Sequence, residues 1–272
     1  MKRQRVNANV TRQYIESAPL PNHGDSYTVI PHSKVIEKVL TQLDNHGYIV
    51  ERELYKCNLN AQIATGVYHI KSSLDNEMGM MFAWVNSYNK QKRFGCAAGS
   101  YVNVCMNGMI AGDLSVFSRK HTGNADLDAN TVIANQISEL DNQHKKLISD
   151  KNSMKKIAVG AERQAELLGK MYIHENIITA NQLGIVKKEL ESPSYNYNAG
   201  TDKLWTLYNH VTHAVKSSHP GNWMKDQQKV HEFFTQEFNA MMQPAPIDQP
   251  IVETIEEQPS SQLSILDLTF EL

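Results

Sequence analysis

No stretch of this chain approaches the roughly 18 to 20 consecutive apolar residues that would span a bilayer. Its start, Met1-Lys2-Arg3-Gln4-Arg5, leads into polar Asn and Thr residues instead of an apolar signal core. A cytoplasmic protein without a membrane anchor is expected. Cysteine is scarce: Cys57, Cys96 and Cys105 have no CxxC spacing and cannot all pair with one another. That suits a reducing compartment and predicts three small buried hydrophobes. There is no GxxxxGK(S/T) loop, no GxGxxG after a strand, no HExxH and no GxSxG, so phosphate-cradling loops and hydrolase elbows are not indicated. The paired carboxylates Asp126 and Asp128, or Glu189 and Glu191, sit at helix starts or ends, where dipole and solvation effects account for them. No residue is nominated as catalytic, no cofactor is called for, and the expectation is a protein that is not an enzyme.

Neither sign of charge dominates. The 272 residues carry a formal charge of -2, with 41% hydrophobic and 21% charged residues, the composition of an ordinary globular protein with a sizeable core. The charge is uneven along the chain. Residues 243 to 272 hold six acids and no Lys or Arg, which leaves 23 acids against 27 bases in residues 1 to 242. Four of the nine prolines (Pro244, Pro246, Pro250, Pro259) fall in the same tail, which is expected to be disordered. Its end, Gln262 to Leu272, is apolar at alternate positions and reads as a docking peptide carrying Gln262, Leu263, Ile265, Leu266, Leu268 and Phe270. A strand or turn that folds back on its own body would give the same pattern.

In the body, residues 1 to 32 carry Lys2, Arg3, Arg5 and Arg12 and read as a basic arm with little regular structure. Ser33 is placed to cap a helix over Lys34 to Asn45, stopped by His46-Gly47. From Tyr48 the period changes to two. Tyr48 to Lys56, Gln62 to Ser72, Met78 to Tyr88 and Phe94 to Met106 predict an antiparallel meander of about four strands. Between Leu127 and Leu168 apolar residues recur at three- and four-residue steps, the pattern of one or two long amphipathic helices. Further helices are expected at Thr179 to Leu190, Thr201 to Ser217 and Trp223 to Met241. The predicted architecture is α+β: a single domain over 33 to 242, sheet-rich to 124 and helical from 125, with the arm before it and the acidic tail after it.

Lys90, Lys92 and Arg93 cluster on one hairpin turn beside Tyr88 and Phe94, and Arg119 and Lys120 follow the sheet. Cations interleaved with aromatics can track phosphates while rings stack on bases, the arrangement used for single strands. A charged turn that keeps a sheet soluble is the competing reading. Lys145, Lys146, Lys151, Lys155 and Lys156 either form a solvated helix face or extend a basic stripe. His210-x-x-His213 and His219 invite a metal reading, but a zinc site needs a third ligand and supporting hydrogen bonds that the sequence does not identify. Packed or solvent-facing histidines are expected there, and no metal.

Two blocks carry a resemblance. Tyr101-Val102-Asn103-Val104-Cys105-Met106-Asn107-Gly108-Met109, followed by Arg119-Lys120-His121-Thr122, resembles the VCxNG and KH stretch of the phage- and plasmid-borne family called domain of unknown function 932. Thr201 to Val215 is similar to that family's C-terminal helix, with departures at His210, where the family usually has Ala, and at His213, where an acid is common. The resemblance spans roughly residues 30 to 235 and leaves out the tail. It implies a mobile-element protein, often encoded among genes for DNA metabolism, and supplies no activity. The order of helix, meander and long helix is also similar to that of RecT-type annealing proteins, a fold-level analogy. Gln262-Leu263-Ser264-Ile265-Leu266 is similar to the bacterial sliding-clamp peptide, with Leu in place of its final Phe. The acidic end Asp267 to Leu272 resembles the tails of phage single-strand-binding proteins.

The expected function is therefore DNA metabolism: binding or annealing single-stranded DNA, with the C-terminal peptide recruiting a sliding clamp or another replication protein, and with self-association into a homo-oligomer open. The competing reading is an interaction protein without DNA affinity, such as an inhibitor of a host defence or replication factor.

Overall fold

A helix with apolar residues on one face, then strands that alternate between two faces, sets the architecture of the computed structural model. It describes residues 8–22, 29–111, 115–116 and 125–242. Gln262, Leu263, Ile265, Leu266, Leu268 and Phe270 of the expected docking peptide lie outside these described residues, as do Arg119 and Lys120. The helix α2 (His32–Asn45) buries Val35, Ile36, Val39 and Leu43 and ends at His46 and Gly47, whose φ of 73° suits glycine. Pro31, not Ser33, occupies its N-cap, a correction to the expected start.

The meander is β2 (Val50–Cys57), β3 (Ile63–Ile70), β4 (Met78–Ser87) and β5 (Gly95–Val102), each antiparallel to the next. Short strands extend it on both sides: β1 (Ala8–Val10) pairs with β2, while β6 (Asn107–Met109) and β7 (Ser115–Val116) both pair with β5. The arm expected to lack structure thus supplies β1 and α1 (Arg12–Glu16). Thr11 opens α1 by accepting a 3.3 Å hydrogen bond from the Tyr14 amide on its side-chain oxygen.

Alternation along the strands divides the interior in two. Tyr68, Phe82, Trp84, Cys96 and Ala98 pack with α2 and with Ala129, Ile133 and Ile137 of α3 (Ala125–Ser138). Met81, Ala83, Ala97 and Tyr101 pack on the other side with α7 (Leu204–Val215) and α8 (Pro220–Met242). The helix α4 (Leu140–Lys156) contributes Leu140 to the first core and Leu147 and Met154 to the second. The rest of the helical half is α5 (Ala161–Gly169), a π-helical turn over Lys170–His174, and α6 (Ala180–Glu191). The fold is α+β: an antiparallel sheet in the N-terminal half, then helices. With helices over both faces, β3, β4 and β5 are buried almost throughout. All three cysteines are buried and free. Among the described residues no helix is long and apolar enough to cross a membrane.

Candidate nucleic-acid interface

The hairpin between β4 and β5 is shaped by side-chain to backbone hydrogen bonds. Asn89 Oδ1 accepts from the Gln91 amide at 3.1 Å, and Lys90 takes a left-handed φ of 63°. Ser87 Oγ accepts from the Lys92 amide at 3.1 Å and donates to the Lys92 carbonyl at 2.7 Å. Lys90 and Arg93 are exposed and Lys92 is half-buried. The flanking rings behave differently from the expectation. Tyr88 is 1% exposed, stacks on His32 at 3.9 Å, and accepts from the His32 amide; Phe94 is fully buried in the core against α2 and α3. Their assignment as base-stacking rings is corrected: a sheet covered on both faces takes them up as core.

Lys92 leads from this turn to the corner between α7 and α8. Its ammonium donates to Asn222 Oδ1 at 2.7 Å, and its stem lies against Gly221. Pro220 opens α8, its carbonyl accepting from Thr65 Oγ1 at 2.8 Å, and His219 Nδ1 accepts from the Gly221 amide at 3.1 Å. Burial and the charge of Lys92 lower the His219 pKa. Asp226 is the acid of this corner. Burial raises its carboxyl pKa, while Ser218 and the charges of Lys229, Lys92 and Lys225 oppose that.

Beside the corner lies a cleft of about 210 Å³, bordered by Asn9 of β1, Lys56 of β2, Thr65 and His69 of β3, Met106, and Lys216 and Trp223 around the corner itself. Among the described residues no carboxylate lines it. Lys56 Nζ donates to the Lys216 carbonyl at 3.0 Å, and Lys216 Nζ donates to the Cys105 carbonyl. Burial lowers the pKa of both lysines, and the charge of Lys56 lowers that of Lys216 further. His69 is 2% exposed and stacked on Tyr101 at 3.8 Å; burial, then the charges of Arg52 and Lys216, lower its pKa to about 4.

Sequence reasoning did not find Lys56 or Lys216. Lys56 carried a signal, because it shares with Leu54 a face of β2 opposite to Tyr55 and Cys57, which places a lysine on the inner side of a strand. Lys216 carried none that local pattern supplies. The basic stripe on α4 is partly cancelled. Lys151, 3% exposed, pairs with Asp75 at 2.6 Å and Glu77 at 3.1 Å, and Lys155 pairs with Glu77 at 2.6 Å. Lys145, Lys146 and Lys156 are exposed.

The histidines fall into two places. His210 and His213 flank Glu189 at 3.6 and 3.7 Å, too far for hydrogen bonds, while His219 lies at the start of α8. Glu189 is 5% exposed rather than solvated, and its oxygens accept from the Ser194 amide at 3.0 Å and from the Ser194 hydroxyl at 2.5 Å. Its burial could have been read from Gln182, Val186 and Glu189, which share one face of α6 at four- and three-residue steps. Among the described residues no group of three or more His, Cys, Asp or Glu is placed to hold a metal ion.

The family described as Domain of unknown function (DUF932) matches residues 19–241. No curated protein and no solved structure matches the chain.

Proposed function

Because the chain belongs to this family of unknown function, whose description prescribes no activity, we propose from its own residues that it binds or anneals single-stranded DNA in the replication or recombination of a phage or other mobile element. The observation that carries the reading is the gathering of Lys90, Lys92 and Arg93 beside the α7–α8 corner and the Lys56 and Lys216 cleft, at one end of the sheet. Such a surface follows a strand through its phosphates. With Tyr88 and Phe94 committed to the core, the turn contributes charge and not base stacking. The acidic tail and its peptide at Gln262 to Leu266 would recruit a sliding clamp or another replication protein and compete with DNA for the basic end.

The test is fluorescence anisotropy of labelled single- and double-stranded oligonucleotides with the full-length protein at several salt concentrations. Tighter binding to single strands is expected, with log affinity falling against log salt by about 0.7 per phosphate contacted. Replacing Lys90, Lys92 and Arg93 together by Gln should make that slope shallower by about 2, three contacts at 0.7 each. A slope untouched by the triple substitution would remove the turn from the interface.

The second reading is an interaction protein without DNA affinity. It is favoured by an apolar groove of about 710 Å³ between α5 and α6, which includes Leu168 and Leu183 and leaves Tyr172, Ile173 and Leu190 partly exposed. Under it, oligonucleotides would not bind, and partner capture would survive the triple substitution.

A further inference from the structure

We propose that the cleft between β2 and the α7–α8 corner is a site for one phosphate group, held between the ammonium groups of Lys56 and Lys216. The inference deepens the DNA-binding reading and rests on it only for the source of the phosphate. An ammonium group has three N–H donors. Each of these two spends one on a backbone carbonyl, of Lys216 and of Cys105 respectively, and among the described residues none on a carboxylate. That differs from Lys151, Lys155, Arg163 and Lys170, which all meet acids. Among the described residues, two N–H groups on each lysine thus meet no carboxylate, and Lys216 Nζ also stands 6.0 Å from the centre of the Tyr195 ring.

Bringing two like charges into one partly buried cleft is costly unless an anion joins them; burial lowers the pKa of both lysines, and the charge of Lys56 lowers that of Lys216 further. The carboxylate that acts on Lys216 is Glu189, more weakly than the charge of Lys56 does, and its oxygens are engaged by Ser194. A phosphate dianion matches two ammonium charges and accepts several hydrogen bonds, and lysine serves phosphate as a point charge. At about 210 Å³ the cleft has room for roughly seven water molecules at about 30 Å³ each, enough for a tetrahedral phosphate. Lys92 stands next to it, on the far side of Pro220 and Gly221, so the phosphate can belong to a strand that the turn also follows, or to a free phosphate.

The test is thermal unfolding of the full-length protein in sodium phosphate against sodium chloride of matched ionic strength. Phosphate at about one hundred times its Kd should raise Tm by about 7 °C in a saturable way. Lys56→Gln and Lys216→Gln should lose the rise, and a variant carrying Lys145→Gln and Lys146→Gln on the exposed face of α4 should keep it. No rise in the wild type, or an undiminished rise in both single variants, overturns the site even if DNA binds elsewhere. Should the single variants fail to fold, acetylation of the native protein read by mass spectrometry takes their place. Phosphate should slow modification of Lys56 and Lys216 several-fold but not of the exposed Lys145 and Lys146, and equal rates overturn the proposal. Addition of an unlabelled oligothymidylate separates the sources: loss of the phosphate response identifies a strand phosphate, and its persistence a free one. A phosphate response without any oligonucleotide binding would leave the site standing and the DNA reading refuted.

Discussion

Acidification from about pH 7 to about pH 4 is expected to remove roughly 6 kcal/mol of folding stability, about 3 kcal/mol through each of His32 and His69. Burial lowers both rings from an ordinary value of 6.5 to about 4. Hydrogen bonds explain why His32 resists a second proton. The atom of Asn86 that faces the Ile30 carbonyl at 2.8 Å must be its amide nitrogen, since a carbonyl only accepts, and that nitrogen also faces His32 Nδ1 at 3.0 Å. Nδ1 is therefore an acceptor, and Nε2 carries the proton donated to the Ala61 carbonyl at 2.9 Å. A proton on Nδ1 would meet a donor.

The folded values lie below the unfolded ones, so between 6.5 and 4 the unfolded chain binds more protons. Stability is then complete above about 6.5 and is lost as the pH falls toward about 4. His144, His210 and His213 are shifted the same way, chiefly by burial, and act in the same direction. Since a domain is stable by only about 5 to 15 kcal/mol, urea midpoints measured across this range should fall steeply. His32→Gln should flatten the dependence by about half, and equal slopes in the two proteins would show that His32 does not carry it.

Trp84→Ala should cost about 4 kcal/mol, which for a domain of this size is about 10 °C in Tm. The indole is fully buried, donates through Nε1 to Tyr68 Oη at 3.2 Å, and lies over Gly66, where a Cβ would come within 2.3 Å of Nε1. The strand glycine is what lets the ring lie flat on β3. Gly66→Ala alone should therefore destabilise by about 1 to 3 kcal/mol through overpacking. In the Trp84→Ala background the same change should be nearly neutral, because the clashing ring is gone. Additive losses in chemical denaturation of the two single variants and the double variant would show that the ring and the glycine do not share this space.

The helix over residues 34 to 45, the meander and the last two helices were readable because their apolar residues repeat with the period of the element they form. The strand at Ala8 to Val10 was not, since three residues show no period and owe their conformation to pairing with Cys57, Lys56 and Tyr55. The cations of the β4–β5 turn stood out as a polar cluster between two strands. Tyr88 and Phe94 were misassigned because local sequence gives the neighbours of a ring along the chain and not the helix laid over it. The Lys56 and Lys216 cleft joins residues 160 positions apart. The hydrogen bond from Lys56 of β2 to the carbonyl of Lys216, just after α7, brings the two together, and no window of sequence contains it.

The pairing of β1 with β2 also bears on solubility. Among the described residues β1 meets only Tyr55, Lys56 and Cys57, so the remainder of β2 is a sheet margin with backbone donors and acceptors to offer. That stretch reads Val50-Glu51-Arg52-Glu53-Leu54. Three consecutive charges of alternating sign, with Glu51 and Arg52 exposed, make it a poor template for another chain's strand, because stacking a foreign strand there would strip water from them. The margin is guarded by charge where it is not covered by pairing, and neutralising Glu51, Arg52 and Glu53 would leave the monomer's fold in place while opening a route to edge-to-edge aggregation.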